Sequence, residues 1–289
     1  MAEPIKPEST RPATKAKPSS KPDMASLAGL VIAFGGILGG LLIEGGKLKD
    51  ISQFTAALIV MGGTAGAVMV STPLRTLTGG LKRLKGVFFD AKVEIDGMID
   101  QVIGFATKAR KNGLVSLEQE AFAIEDPFLK KALTLAVDGT DLQEIRKMLE
   151  LEIGLEEQHA EAEAKVFECA GGYAPTVGII GAVMGLIQVM KNLANIDEVG
   201  HGIAVAFVAT VYGVGLANLL LLPAANKMKA RTHAETQRKE MILEGVSGIV
   251  EGLNPKLIRT KLECYSQEAR AKEKKKLERG SAAPVSAEV

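Results

Sequence analysis

Hydrophobic and polar positions fall into long separate blocks along this chain. Four windows, Ala25–Ile43, Ile51–Val70, Cys169–Met190 and Ile203–Ala225, contain no Asp, Glu, Lys or Arg. Each reaches the ~17–25 residues that cross ~30 Å of hydrocarbon as a helix. A lone segment in lipid satisfies its backbone only as a helix, so the pattern predicts four spans. Between and after them, apolar residues recur at helical spacing among charged ones. The fold class is all-α: a polytopic membrane protein with four transmembrane helices in two hairpins and a helical cytoplasmic domain. The alternative is a soluble bundle of unusually apolar helices.

The division follows from these blocks. Residues 1–24 are rich in Pro, Lys and Ser, with almost nothing to bury, and read as a disordered tail with no signal peptide. Spans follow at 25–43 and 51–70, then a helical domain at 71–168, spans at 169–190 and 203–225, a helix at 226–268 and a mobile charged tail at 269–289. Within the domain, a helix through GMIDQVIGFATKARKN stops at Gly113, Ser116 is a candidate N-cap for SLEQEAFAI, and Thr140 or Asp141 with Glu144 opens a long helix. That helix, rich in Glu and Ala in its second half, is expected to run directly into the third span. Most of its charges read as a solvated face.

Charge then sets the topology. Arg75, Lys82, Arg83 and Lys85 follow the second span, and Lys227, Lys229, Arg231, Arg238 and Lys239 follow the fourth. The two short connections, IEGGKLKD and KNLANIDEVGHG, have no such excess. The positive-inside rule therefore puts both termini and the 71–168 segment in the cytoplasm. A net charge of +1, from 35 basic and 34 acidic residues, argues against nucleic acid as a partner. Cys169 and Cys264 show no metal-ligand spacing and read as two ordinary thiols.

No enzyme is visible. The chain lacks a phosphate loop, a metal-ligand cluster and a nucleophile elbow, so no catalytic residue, metal or cofactor is expected. Its three histidines are dispersed, and His201 lies in the outer loop, either as a plain polar residue or as a sensor of external pH. Polar side chains within the spans are few: Thr64, Thr176, Gln188, Thr210, Tyr212 and Asn218. A membrane proton relay normally needs carboxylates or histidines at depth. This chain has none, so any titrating group must come from a partner.

Glycine is the other signal. In GGYAPTVGIIGAVMGLIQVM, the residues Gly171, Ala174, Gly178, Gly181 and Gly185 recur every three or four positions. The fourth span repeats the stripe with Gly202, Ala206, Ala209, Gly213 and Ala217. Such stripes let helix backbones approach closely in lipid. They serve either internal packing or a smooth surface presented to another helix, and the latter assigns Gly178, Gly181, Gly185, Ala206, Gly213 and Ala217 to a partner. Pro175 and Pro223 punctuate the same spans, as fixed bends or as flexing points.

GGYAPTVGIIGAVMGLIQVM, followed by AVAFVATVYGVGLANLLLLPAANKMK, resembles the last two spans of the A subunit of the bacterial flagellar stator, the MotA family. IEGGKLKDISQFTAALIVMGGTAGAVMVSTP is similar to that family's first loop and second span, and KARKNGLVSLE to its rotor-facing segment; the likeness covers Ala25 to Ser266. The resemblance implies a bacterial inner-membrane complex in which five A subunits surround two copies of an aspartate-bearing, single-span MotB-type subunit. Ion flow then turns the ring against the rotor switch protein FliG. It also implies roles for single residues. Pro175 and Pro223 match the family's two functional prolines, and Thr210 matches the threonine lining the ion path. Pro175, Ala182, Thr210, Tyr212 and Pro223 are thus expected in the ion path and its conformational coupling. Arg110 and Glu118, with Lys111 beside them, match the charges that meet the rotor. Sodium-driven members carry threonine where this chain has Ala182, so H+ is the expected coupling ion. The nearest rival is the ExbB and TolQ class, and a non-conducting scaffold is another.

Overall fold

A computed structural model describes residues 21–87, 89–90 and 95–266. The expected tails at 1–24 and 269–289 lie, but for residues 21–24, outside the described residues. The described part is helical apart from a two-residue antiparallel pairing of Lys21–Pro22 with Phe89–Asp90.

The first hairpin is α1 (Met24–Ile43) and α2 (Phe54–Ser71). Asp23 caps α1, its carboxylate accepting from the Ala25 amide at 3.1 Å. Gly45 ends it with φ +85°, a left-handed turn that glycine enters without steric penalty. No residue of α1 is buried, whereas α2 turns Ala56, Val60, Thr64 and Val68 inward, one per turn. The amphipathic α3 (Leu74–Val87) follows.

The helical domain between the second and third spans holds α4 (Ile95–Asn112), α5 (Glu118–Ala123) and α6 (Pro127–Val137). Gly113 stops α4 as its spacing predicts, with φ +82° and its amide bonded to the Ala109 carbonyl at 2.8 Å. Ser116 does not cap the next helix. Its hydroxyl donates to the Gly113 carbonyl at 2.7 Å, inside a 3₁₀ turn over Leu114–Leu117, and α5 starts at Glu118 with no side-chain cap. The tight turn drives Leu117 fully into the core, and burying that side chain outweighs a surface cap. Asp126 caps α6 through the Leu129 amide at 2.8 Å, with Pro127 in the first turn.

Two long helical paths join this domain to the membrane region. Asp141 caps α7 (Leu142–Lys191), an unbroken 50-residue helix that joins the domain to the third span, as expected. The return path begins with α8 (Ile196–Gly215) and passes through a π-helical turn at Leu216–Leu221. It continues as α9 (Leu222–Val250). Four helical stretches are long and apolar enough to cross a membrane: Met24–Ile43, Phe54–Ser71, and parts of Leu142–Lys191 and Ile196–Val250.

The buried side chains change with depth. In the cluster outside the spans, Leu129, Leu133, Ile145, Leu149, Met241, Ile242, Ile258 and Leu262 come together from α6, α7, α9 and the stretch 255–266. Burying a side chain of that size contributes about 1.5–3 kcal/mol in water. Among the spans the cluster shrinks to Ala56, Val60, Val205, Val208 and Ala209. Lipid is as apolar as Leu, so close backbone approach, not burial, holds these helices.

The charges of α7 are less solvated than the sequence predicts. Glu156 pairs with Lys239, Glu163 with Arg83 at 2.5 Å, and Glu168 with Lys229 at 2.5 Å. Arg146 reaches Glu244 at 3.3 Å. Helical spacing identifies a charged face but not the neighbour that meets it; here α9 and α3 lie along α7 and supply the counter-charges.

Candidate functional site

The α7–α8 hairpin is built on absent side chains. A Cβ on Gly178 would lie 2.9 Å from the Ala209 carbonyl oxygen and 3.2 Å from Gly213 Cα. One on Gly213 would lie 2.5 Å from the Ala174 oxygen. Roughly two turns further along α7, a Cβ on Gly185 would lie 2.7 Å from the Gly202 oxygen and 2.9 Å from the Ala206 amide nitrogen. One on Gly181 would lie 2.8 Å from Ala209 Cβ and 3.3 Å from Ile59 of α2. Ala217 is wholly buried.

This arrangement corrects the assignment of the stripe to a partner. Gly178, Gly181, Gly185, Ala206 and Gly213 pack α7 against α8 of the same chain. The physical reason is mutual fit: two small stripes on adjacent antiparallel spans satisfy each other first. The larger residues Ile179, Ile180, Val183, Met184 and Ile187 remain exposed on α7.

The prolines adjoin a second irregularity. Pro175, half-buried, lies inside α7 and has no amide to offer the Gly171 carbonyl. Gly171 packs against the end of the π turn: a Cβ there would lie 2.6 Å from Leu222 Cδ2 and 3.6 Å from Leu221 Cβ. Pro223 is exposed and follows that turn directly. The π turn was not foreseen. A widened turn is one way a continuous helix accommodates proline, whose ring would otherwise press on the carbonyl four residues back. Pro223 and Asn218 face a cavity of about 300 Å³ between this turn and α1.

The polar groups at depth are engaged locally. The Thr210 hydroxyl donates to the Ala206 carbonyl at 3.2 Å and Thr176 to Tyr173 at 2.8 Å. The Asn218 amide donates to the Val214 carbonyl at 2.9 Å. Tyr212 reaches further. Its hydroxyl donates to the Ile51 carbonyl at 2.5 Å and accepts from the Gln53 amide at 3.3 Å, fastening the start of α2, which has no cap of its own, to α8. Thr64 is buried with no hydrogen-bond partner. Ala182, half-buried beside Gly181, presents no oxygen. Among the described residues no group of His, Cys, Asp and Glu is arranged to hold a metal.

The charged residues expected to meet a rotor stand apart from this hairpin. Arg110 and Lys111 lie in the last turn of α4 and Glu118 opens α5. All three are exposed and, among the described residues, enter no ion pair. Beneath them Lys108 and Glu120 pair at 2.5 Å and tie α4 to α5. The Gly113 turn thus turns one pair of charges inward and leaves the other outward.

Just past the fourth span, Lys227 pairs with Asp23 and donates to Ser26 Oγ at 2.5 Å, tying α9 to the start of α1. Burial lowers the Lys227 pKa, and the nearby Arg231 cation lowers it further.

A glycine-packed hairpin with proline and π irregularities, extended into a helical domain outside the spans, fits a subunit of an ion-conducting membrane complex rather than an enzyme. Residues 120–241 match the MotA/TolQ/ExbB proton channel family, and 27–112 match the motility protein A N-terminal family. Motility protein A of Bacillus subtilis is 36% identical over 244 residues, covering 84% of this chain and 90% of that one. The Helicobacter pylori protein of the same name is 35% identical over 243 residues, covering 84% and 95%. In structure, the chain is similar to Campylobacter jejuni (C. jejuni) MotAB, with TM-score 0.81, 35% identity and coverage of 84% and 95%. It is likewise similar to the flagellar MotAB stator complex of Bacillus subtilis, with TM-score 0.78, 36% identity and coverage of 83% and 95%. The chain belongs to the MotA family and is a multi-pass membrane protein of the A-subunit type.

Proposed function

We propose that this chain is the A subunit of a flagellar stator that, with a MotB-type single-span subunit, converts proton flow into torque. One observation carries the reading. The spans hold no carboxylate or imidazole, while their two innermost helices are packed backbone to backbone around irregular turns. A relay without its own acid needs one from another helix. The relatives of known structure were solved as MotAB complexes, which supports a MotB-type partner.

Several finer elements belong to the same reading. Five copies encircle the partner helices in the bacterial inner membrane, with both termini cytoplasmic, as the basic residues around 75–85 and 227–239 favour. The coupling ion is H+, because Ala182 offers sodium no ligand. Pro175, Thr210 and Pro223 act in the ion path and its coupling to shape change, and Tyr212 holds the second span in register with them. Arg110, Lys111 and Glu118 meet FliG.

The test is reconstitution in liposomes. The A subunit alone should hold a pH gradient, and the A–B complex with its B-subunit aspartate intact should dissipate it. Conduction by the A subunit alone sinks the reading.

A further inference from the structure

The outward face of the turn between α4 and α5 is not only charged. Val115 is 70% exposed and Phe122 is 71% exposed, although both lie in a folded, well-cored domain. They are not scattered. Leu117 and Glu118 both have right-handed helical backbone angles, so the 3₁₀ turn passes into α5 without losing helical phase. Val115, Glu118 and Phe122, three and four residues apart, therefore form one stripe. Leu117 and Ala121, roughly 100° round the same helix, are buried in the core, as is Ile124 at its C-terminal cap. The ring of Phe122 is held from one side: Lys130 Nζ lies 5.6 Å from its centroid and donates to the Phe122 carbonyl at 3.3 Å.

Single exposed apolar residues are ordinary and need no explanation. This pair differs because it brackets Glu118, and the outward cations Arg110 and Lys111 lie just across the Gly113 turn. An apolar side chain ringed by charges is the composition of an interface centre: the aromatic anchors, and the rim steers and registers. The bilayer is not what covers it. The α4–α6 domain packs on Ile145 and Leu149 of α7, about 20 or more residues before the third span, which puts it roughly 30 Å below the membrane.

We propose that Phe122, flanked by Val115, is an apolar anchor of the rotor contact and docks into an apolar cleft on the rotor switch protein, with Arg110, Lys111 and Glu118 as its polar rim. This rests on the proposed function above. Charges alone would give a contact screened within about 8 Å at physiological salt. The anchor supplies a part that salt does not remove, so the contact keeps register while each charge pair breaks and re-forms.

The test uses the full A–B complex and the purified rotor switch protein, with binding measured at low and high salt and proton flux as the control for folding. Phe122→Ala should weaken binding roughly tenfold, with most of the loss persisting at high salt, while proton flux is unchanged. Phe122→Leu should stay near wild type. If Phe122→Ala fails to accumulate, Val115→Ser gives the same comparison with a smaller expected loss. Wild-type binding by Phe122→Ala, alongside lost binding in the Arg110 and Glu118 charge reversals, overturns the anchor and leaves the rotor reading standing. Unchanged binding in the charge reversals as well overturns both. A change in the number of copies in the purified complex on Phe122→Ala assigns the patch to contact between copies and also overturns the proposal.

Discussion

Gly178 and Gly213 meet backbone to backbone: a Cβ added to either would lie 3.2 or 3.1 Å from the other's Cα. A methyl group here has no flexible neighbour to displace, only main chain. Gly178→Ala or Gly213→Ala is expected to destabilise the hairpin by about 1–3 kcal/mol. Gly172→Ala, on the exposed side of the same helix with nothing within 4 Å, should be neutral. Thermal stability of the detergent-solubilised protein distinguishes the two outcomes.

Pro175→Ala returns an amide to the Gly171 carbonyl and straightens a helix that packs on the π turn. Protein should still reach the membrane in normal amount, with torque reduced several-fold or abolished. Quantifying membrane-bound protein beside single-motor rotation separates this from a folding role, which would lower both together.

With Ala182 where sodium-driven members carry threonine, H+ is the proposed ion. Swimming should persist when sodium is replaced by potassium at constant pH, and should stop when the proton gradient is collapsed. Immobility without sodium, at an intact proton gradient, contradicts the assignment.

Glu244 predicts an acid limit for the helical bundle outside the spans. Its carboxyl is held below the ordinary value of 4.5 by the Lys261 hydrogen bond first, then by the charges of Lys261 and Arg146, with burial opposing. A depressed pKa adds stability in full above that ordinary value and loses it as pH falls through the folded-state value. Lys261 is shifted upward by the same bond, so its share is present below 10.5 and is lost only above it, as pH rises through its raised value. Glu244→Gln should therefore lower stability by up to about 1 kcal/mol at pH 7 and match wild type well below pH 4.5. Thermal melts across pH 3–8 check this.

The spans were legible because hydrocarbon imposes one demand, length without charge, and the chain meets it in four blocks. Gly113 and Asp141 were legible because their conformational roles are local. Ser116 misled because a local cap signal met a stronger non-local demand, the burial of Leu117. The π turn had a weak signal in Pro223, but proline alone does not say how a helix accommodates it. The small stripes were read correctly as close-packing surfaces and assigned to the wrong partner, since spacing names a face without naming what lies against it. Tyr212 was hidden for the same reason: its acceptor, Ile51, is 161 residues away in the chain.

The uninterrupted run of α7 makes it a lever arm. From Pro175 to Leu142 is roughly 50 Å at 1.5 Å per residue, so a 5° swing pivoting at the proline displaces the far tip by roughly 4 Å. A change too small to alter packing near the pivot would thereby be magnified, at the distal end, to the size of a side-chain contact.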